Sequence, residues 1–338
     1  MTENLFKKVA VFTDIHFGLK HNSRLHNNDC IRFLEWFIQE AKQRGCETCI
    51  FMGDWNHHRA SINVSTLNYS MRAFSLLNAA FDDVYFIVGN HDLYYKEKRE
   101  INSIPMAELY PSIHLIDEVT ETGDIAIIPW LVGDEWKKVA KIKSKYMFGH
   151  FELPKFKMNA HVEMPDHGQL CAEDFQHQDY IFSGHFHKRQ NKGIIHYIGN
   201  PFGHNFSDTW DFDRGAMFLT WGGEPEYVNW EHGPRYIAMD LSVLLEDPEK
   251  YLNAHTYAKV ELDVDISYEE ANFLRETFFE NYEIRELKLL PKHEENDADV
   301  LIGDIKFETV DQIVTESIQT MDSTTFNVDV LTKIYNDL

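Results

Sequence analysis

The chain has 338 residues, of which 43% are hydrophobic and 14% aromatic, and this composition excludes an intrinsically disordered protein. Its 55 acidic residues against 32 basic ones give a formal charge of −23, which argues against unaided, non-specific binding of nucleic acid. Four cysteines are too few for a disulfide framework, and no apolar run reaches the roughly 18 residues of a membrane span, so we expect a cytoplasmic protein outside membranes.

Short apolar runs alternate with amphipathic stretches along the first two thirds of the chain, a pattern typical of a layered α/β fold. The apolar runs that predict buried strands are Val9–Phe12, Thr48–Met52, Val84–Val88, Ile125–Ile128, Lys145–Phe148 and Tyr180–Phe182. The amphipathic stretches that predict helices are residues 28–44 and 64–80. Three further strands are predicted at Gly193–Tyr197, Ala216–Trp221 and Tyr227–Trp230.

A change in composition near Glu231–Pro234 indicates that a smaller unit follows the main domain. Thr256–Val264 alternates like a strand, and Glu283–Leu289 predicts a second strand. Between them, Ser267–Glu280 has the pattern of a helix that begins with a capping box. This order predicts a small β-α-β unit.

The C-terminal part of the chain holds two short amphipathic patterns that are typical of helices. We therefore divide the chain into a main domain over residues 1–235, a small domain over residues 236–295 and a helical tail over residues 296–338. The spacing alone leaves open whether the tail helices pack on their own domain or bind a partner.

Five of the predicted strands are each followed at once by polar residues of types that bind metal ions. In chain order these segments are Asp14-Ile-His16, Gly53-Asp54, Gly89-Asn90-His91-Asp92, Gly149-His150 and Gly184-His185-Phe186-His187. Sites assemble at strand carboxyl ends in layered α/β proteins, and a glycine before a ligand lets the backbone turn sharply. One such segment alone is weak evidence, because an aspartate often caps a loop, but five in this order strongly indicate a single site.

Carboxylate, imidazole and amide oxygen donors without a thiolate suit a pair of divalent ions. Two ions held roughly 3.5–4 Å apart clamp an in-line displacement at phosphorus, and Asp54 is the candidate for the carboxylate that they share. A water between the ions would be acidified and act as the nucleophile, so that no serine or cysteine nucleophile is required. The sequence therefore predicts a two-metal phosphoesterase.

This ordered set of motifs resembles the calcineurin-like metallophosphoesterase superfamily over about residues 7–221. The resemblance implies a layered β-sandwich flanked by helices. It implies that one ion is held by Asp14, His16, Asp54 and His187, and the other by Asp54, Asn90, His150 and His185. It also implies that His91 protonates the leaving oxygen or stabilises its charge, and that Asp92 accepts a hydrogen bond from His91 and fixes its tautomer.

The segments between these motifs resemble the nuclease subunit of SbcCD-type double-strand-break repair complexes, particularly the recombination endonucleases of T-even-like phages. The features that carry this resemblance are His57 after Asp54, Ile128–Trp130, Phe151–Leu153, Tyr197–Pro201, Asp213–Gly215 and the two C-terminal modules. By this resemblance His57 matches a histidine near the metals. Its neighbours Asn56 and His58 replace the usual apolar residues, which leaves the exact role of His57 open.

The nuclease resemblance implies a DNA exo/endonuclease of a recombination and repair complex, with Mn²⁺ preferred and Fe²⁺ or Zn²⁺ also accepted. The small domain would cap the active site and help to present DNA. Residues 300–338 would bind the coiled coil of an SMC-like ATPase, whose own DNA contacts would offset the acidity of this chain. A homodimer is compatible with such a complex, and a phage-encoded protein would act in the cytoplasm of its host.

Two other functions stay open at this point. The superfamily also contains enzymes that act on small nucleotides, so a phosphodiesterase or phosphatase of that kind is the alternative enzyme. A catalytically idle scaffold with structural metals is a further alternative, although the intact His91 and the complete ligand set argue against it.

Two further features of the sequence have no assigned role in these functions. Tyr94–Arg99, directly after the Asn90-His91-Asp92 segment, is a basic and aromatic patch that either contacts a DNA backbone or forms an exposed turn. His204, in the loop after the Tyr197–Pro201 segment, is the one remaining histidine that we single out. A hydrogen-bonded core histidine is the simpler interpretation of His204.

Overall fold

Two six-stranded sheets pack face to face in the computed structural model, which describes residues 4–158 and 162–291. The first sheet contains, in spatial order, β14 (Glu226–Asn229), β13 (Gly215–Thr220), β1 (Lys8–Phe12), β2 (Thr48–Phe51), β3 (Asp83–Ile87) and β6 (Ile113–Ile116). The second sheet contains β11 (Gln190–Lys192), β12 (Ile195–Tyr197), β10 (Tyr180–Gly184), β9 (Tyr146–His150), β8 (Ile125–Ile128) and β7 (Thr120–Thr122). The predicted helical tail, with its partner-binding segment 300–338, lies outside the described residues.

Four neighbouring strands run parallel in each sheet, namely β1, β2, β3 and β6 in the first, and β8, β9, β10 and β12 in the second. Strands of this kind are buried on both faces, which explains why the predicted runs are apolar throughout rather than alternating. In β1, Ala10 and Phe12 pack under the helices, whereas Val9 and Val11 pack between the two sheets. Every strand predicted for these two sheets coincides with an observed one to within two residues at each end, whereas the strand predicted at Glu283–Leu289 begins three residues before the observed one, which starts at Glu286.

Helices cover the outer face of the first sheet. The helices before the small unit are α1 (Leu19–Asn22), α2 (Arg24–Arg44), α3 (Val64–Ala80) and α4 (Trp136–Val139), with short 3-10 turns at Pro105–Leu109, Ala172–Asp174 and Phe206–Asp208. Helix α2 begins after Ser23, whose side chain accepts from the N–H of His26, and it ends at Gly45 with a φ of 71°. Within the described residues, the helices are all too short or too polar to span a bilayer.

A third, smaller sheet follows β14. It consists of β15 (Arg235–Asp240), β16 (Thr256–Leu262) and β17 (Glu286–Pro291), all parallel, connected by α5 (Leu241–Glu246), α6 (Pro248–Tyr251) and α7 (Tyr268–Tyr282). The predicted capping box is present at the start of α7, where Ser267 and Glu270 each accept a hydrogen bond from the other's backbone N–H. The predicted β-α-β unit is found, preceded by one strand, β15, that the sequence pattern did not reveal. We keep the boundaries of the three domains as predictions.

A hairpin of β4 (Leu93–Tyr95) and β5 (Lys98–Asn102) stands directly after Asp92. It contains the basic and aromatic patch of Tyr94–Arg99, and the two tyrosines are exposed. Arg99 is turned back to the fold, where it pairs with Glu135 and donates to the Trp130 carbonyl. The patch is therefore an ordered hairpin with an exposed aromatic edge.

Candidate metal centre

The seven side chains predicted as metal ligands come together where strands of the two sheets end. Their positions are after β1 (Asp14, His16), after β2 (Asp54), after β3 (Asn90), at the end of β9 (His150) and after β10 (His185, His187). Because these strands run parallel, residues from five chain segments come together at one edge of the sandwich.

The carboxylate of Asp54 lies between two sets of donors. Its Oδ2 is 3.7 Å from His16 Nε2 and 3.5 Å from His150 Nε2. Its Oδ1 accepts a hydrogen bond of 2.8 Å from the backbone N–H of His91, which fixes the orientation of the carboxylate. Asp54 therefore occupies the position that a ligand shared by two ions requires.

Asp14, His16 and His187 form the first set of donors together with Asp54. His16 Nε2 is 3.2 Å from His187 Nε2, and Asp14 Oδ1 is 3.9 Å from the former and 3.8 Å from the latter. Two donors about 2.1 Å from one ion are about 3.0 Å apart at a right angle and about 4.2 Å apart when opposite. Because all three distances fall in this range, the first set fits one divalent ion.

Asn90, His150 and His185 form the second set. Asn90 Oδ1 lies 2.9 Å from His150 Nε2 and 3.0 Å from His185 Nδ1. The outer ring nitrogens are engaged elsewhere, since His150 Nδ1 donates to the Met52 carbonyl at 2.6 Å and His185 Nε2 donates to Glu152 at 3.0 Å. Each imidazole thus directs its other nitrogen towards the second set, where that nitrogen would bind an ion once it is deprotonated.

The charges of the cluster also fit bound cations. Burial, opposed by His150 and reinforced by the nearby Asp54 carboxylate, raises the pKa of Asp14 to about 7. Burial acts in the same direction on Asp54, but His150 and His16 outweigh it and hold the pKa of Asp54 well below its usual value. Burial lowers the pKa of His150, whereas Asp54 and Asp14 raise it more, to about 9. Two buried carboxylates therefore need positive charge beside them, which divalent ions supply.

The backbone at this edge is strained. Four of the predicted ligand residues have φ in the left-handed region, namely Asp14 (52°), His16 (50°), Asp54 (63°) and His185 (84°). Such conformations cost side-chain-bearing residues of order 1–3 kcal/mol each and cluster at functional sites. Glycine is required at position 89, because a Cβ there would lie 2.3 Å from both the backbone nitrogen and Oδ1 of Asp54.

The carboxylate of Asp92 ties the loops after β2 and β3 together. It accepts hydrogen bonds of 2.9 to 3.1 Å from the backbone N–H groups of Asp54, Trp55, Asn56 and Gly89. The expected hydrogen bond from His91 to Asp92 is wrong, because His91 Nδ1 instead donates to the His57 carbonyl at 2.9 Å. The carboxylate points under the loops, so it positions Asp54 rather than the His91 ring.

A family model of calcineurin-like phosphoesterases matches residues 7–189, more than half of the chain. The chain belongs to this family. The predicted superfamily and α/β fold class are therefore confirmed, and the family implies the divalent ions that the cluster fits.

Relatives of this phosphoesterase include a nuclease subunit. Exonuclease subunit 1 of Enterobacteria phage T4 is 27% identical over 234 residues, which are 65% of this chain and 67% of that protein. Nuclease MPE of Pseudomonas putida is 17% identical with a TM-score of 0.30, covering 56% of this chain and 66% of its own. A dimetal phosphatase from Danio rerio is 12% identical with a TM-score of 0.37, covering 62% and 91%. This chain thus spans about two thirds of the first two proteins, and TM-scores below 0.5 carry no information on chemistry.

His91 and His57 stand together beside the first set of donors in the phosphoesterase. Their rings stack at 5.4 Å with an interplanar angle of 16°, and the His91 ring meets His16 edge-on at 4.8 Å. Because His91 Nδ1 donates to the His57 carbonyl, Nε2 is the nitrogen left to meet a substrate. Burial and the neighbouring His91 lower the pKa of His57 to about 4, so the His57 ring is neutral near pH 7.

Three further residues support the site, and sequence reasoning assigned a role to none of them. Glu152 fixes the tautomer of His185. The sequence feature that could have pointed to Glu152 is its position two residues after His150. Arg214 is buried and donates to the His187 carbonyl, to Asp208 and to Asp211. His204 places its ring against the first set, beside His16 and His187.

Proposed function

We propose that this phosphoesterase is a metal-dependent DNA exo/endonuclease that uses two divalent ions to hydrolyse phosphodiester bonds. The observation that carries the proposal is the Asp54 carboxylate, which lies between the His16 set and the His150 set at 3.7 and 3.5 Å. The similarity to a phage exonuclease subunit favours DNA over small phosphate esters as the substrate. We propose Mn²⁺ as the preferred ion pair, with Fe²⁺ or Zn²⁺ as substitutes.

The residues of the chain would divide the chemistry as follows. Asp14, His16, Asp54 and His187 would hold one ion, and Asp54, Asn90, His150 and His185 the other. When bound, the ions supply charge that polarises the phosphate and acidifies the attacking water. The Nε2 nitrogen of His91 would donate to the leaving oxygen, while the carbonyl and the ring of His57 hold the His91 ring in place.

We further propose that the chain acts in the cytoplasm as the nuclease subunit of a recombination and repair complex. The small domain would cap the site and help to present DNA, and residues 300–338 would bind an SMC-like coiled-coil ATPase. The formal charge of −23 supports a partner with its own DNA contacts, because an acidic surface repels the DNA backbone. Two such subunits would form a homodimer within the complex.

Nuclease assays on the full chain test the proposed activity. With Mn²⁺ the purified protein should degrade single- or double-stranded DNA, and EDTA should abolish the reaction. His91→Ala should lower the rate by about 10²- to 10⁴-fold, the range for a general acid, while two ions still bind in equilibrium dialysis. His114→Ala is the matched control, because His114 is exposed and bonds Asp83 on β3, away from the cluster.

Other outcomes would reject parts of the proposal. Undiminished DNA cleavage by His91→Ala would reject the mechanism. Rapid hydrolysis of a cyclic or dinucleotide with DNA left intact would select the small-nucleotide enzyme instead. Unchanged binding of the ATPase after deletion of residues 300–338 would reject the tail as its binding segment.

A further inference from the structure

We infer that His204 is a third imidazole ligand of the ion held by Asp14, His16, Asp54 and His187. The inference rests on the proposed two-ion function and adds a residue that the family motifs do not contain. Site 1 denotes this set of five residues, and site 2 denotes Asp54, Asn90, His150 and His185.

The first argument is that the His204 ring is buried without hydrogen bonds. The residue is 1% exposed, and neither Nδ1 nor Nε2 has a partner among the described residues. A buried polar group without a partner costs about 1–3 kcal/mol, so most such groups are satisfied in native proteins. If His204 bound an ion, one of these two ring nitrogens would gain a partner.

The second argument is the position of the ring. One ring nitrogen of His204 lies within 4.8 Å of ligand nitrogens of both His16 and His187. The ring centroids are 5.4 Å from His16 and 5.2 Å from His187, each at an interplanar angle of 84°. Donors on one ion are about 3.0 to 4.2 Å apart, so the His204 ring lies at the border of the volume in which an ion held by His16 and His187 would sit.

The third argument is that the backbone around His204 is held at the site. The N–H of His204 donates to Asp208 at 2.7 Å, and its carbonyl accepts from the Tyr236 hydroxyl at 2.9 Å. The guanidinium of Arg214 bonds Asp208 at 2.9 Å and the His187 carbonyl at 2.9 Å. One buried arginine thus joins the segment of His204 to the segment of His187, which fixes the two rings relative to each other.

His26 shows what an ordinary buried histidine does in the same neighbourhood. It is 3% exposed, and its ring lies 5.5 Å from that of His204. Its Nε2 is hydrogen-bonded to the His16 carbonyl at 2.9 Å. The packing here therefore provides partners for a structural histidine, and the contrast with His204 favours a ligand role for the latter.

A fifth ligand side chain at site 1 makes the two sites unequal. Site 1 would offer three imidazoles and two carboxylates, whereas site 2 offers two imidazoles, one carboxylate and one amide oxygen. Site 1 would hold its ion more tightly, because it has more donors and more nitrogen, and it would leave about one of six positions for water or substrate. Site 2 would have more open positions and would lose its ion first to a chelator.

Metal binding to the full chain tests the inference without relying on activity. Titration of the metal-free protein with Mn²⁺ should show a tight and a weak site. His204→Phe keeps the ring volume and removes both nitrogens, so it should weaken the tight site by at least about tenfold. Phe202→Leu is the control, because its ring packs on His204 at 5.3 Å and carries no donor. Thermal unfolding checks that both variants fold.

Pulsed EPR of the wild-type protein with one Mn²⁺ bound gives a second measurement that needs no variant. Three coupled imidazole nitrogens at the tight site are expected, and two would overturn the inference. Unchanged affinity of the tight site in folded His204→Phe would overturn it as well. A wild-type protein that binds fewer than two ions would instead reject the proposed function, so the two failures are distinguishable.

Discussion

The sandwich and the small unit over residues 235–291 are both built on parallel strands, yet within the described residues only the sandwich gathers groups of histidine and carboxylate side chains at its strand ends. At these strand ends of the sandwich, four predicted ligand residues have positive φ, and several buried histidine ring nitrogens have no hydrogen-bond partner among the described residues. In the described part of the small unit, we find no group of three histidine, cysteine or carboxylate side chains close enough to hold an ion. The comparison shows that the potential metal-binding side chains of the described residues lie at one edge of the sandwich.

The small unit instead contributes contacts to the sandwich. Arg285 makes two hydrogen bonds to Asp29 on α2, at 2.5 and 2.9 Å, and both side chains are buried. Lys20 lies 3.6 Å from the ring centroid of Tyr257 and bonds the Tyr236 hydroxyl. Substitutions at this edge of the sandwich should therefore change the rate of hydrolysis, whereas substitutions of these contact residues should lower the free energy of unfolding.

The largest expected effect is that of Asp54→Asn, which keeps the shape of the shared ligand and removes its charge. Cleavage should fall by more than about 100-fold, since even the outer partners of metal ligands are worth 10- to 100-fold. Equilibrium dialysis should show fewer than two bound Mn²⁺. The matched control is Asp83→Asn, an exposed carboxylate at the start of β3. Two ions bound with normal affinity by Asp54→Asn would refute the shared-ligand assignment.

Asp92→Ala should show that the strained loops depend on one carboxylate for their stability. The change leaves four buried backbone N–H groups without their acceptor, so the free energy of unfolding should fall by about 3 kcal/mol. Urea denaturation measures this value. Asp92→Asn retains one acceptor oxygen and should lose less. A loss below about 1 kcal/mol in Asp92→Ala would mean that the loops are held by other contacts.

Acid should destabilise the sandwich through its buried histidines. Burial lowers the pKa of His26 to about 4, against about 6.5 in the unfolded chain. The unfolded state binds more protons between these values, so the contribution of His26 is complete above pH 6.5 and is lost as the pH falls towards 4. Between pH 6.5 and pH 4, the free energy of unfolding of His26→Phe should fall less than that of the wild type, with a difference on the order of 2 kcal/mol. Denaturant curves from pH 7 to pH 4 measure it, and parallel profiles would refute it.

Arg285→Met should have an effect no larger than that of His26→Phe, and it should separate the two regions. It leaves the buried Asp29 carboxylate without its cation, and we expect a loss of about 2 kcal/mol in unfolding free energy. Hydrolysis of a small model phosphodiester should stay unchanged, because the pair does not touch the cluster. The double variant with Asp29→Asn should recover part of the loss. A large fall in model hydrolysis would contradict the division between the two regions.

Much of the fold, and the fact that the predicted ligand residues lie together, could be predicted from the sequence, because the signals are local. A buried parallel strand is a continuous apolar run, and a polar residue directly behind it must lie at the edge of the sheet. The Asp14-Ile-His16 and Gly53-Asp54 segments are of this kind. Strand β15 escaped prediction, because Arg235–Asp240 lies directly behind the expected domain boundary and mixes polar with apolar residues.

The partners of these residues could not be predicted in the same way. The His91–Asp92 hydrogen bond was expected from their adjacency in the chain, but neighbouring residues in a turn point in different directions. Glu152 bonds His185 across 33 positions of the chain, and His204 meets His16 from a loop that follows the second sheet. Such contacts depend on how separate segments cross at the edge of the sandwich.

The sequence by itself determined which residues could bind metal ions. The reason is that a metal-binding residue type directly after an apolar strand can be recognised within a short segment. The sequence also determined the family and the α/β class. Only the tertiary structure decided that Asp54 lies between two sets of donors, that Asp92 supports the loops rather than His91, and that the His204 ring lies beside His16 and His187. The physical reason is that a hydrogen bond or a shared ligand requires atoms within about 3 to 4 Å, and only packing brings distant segments that close.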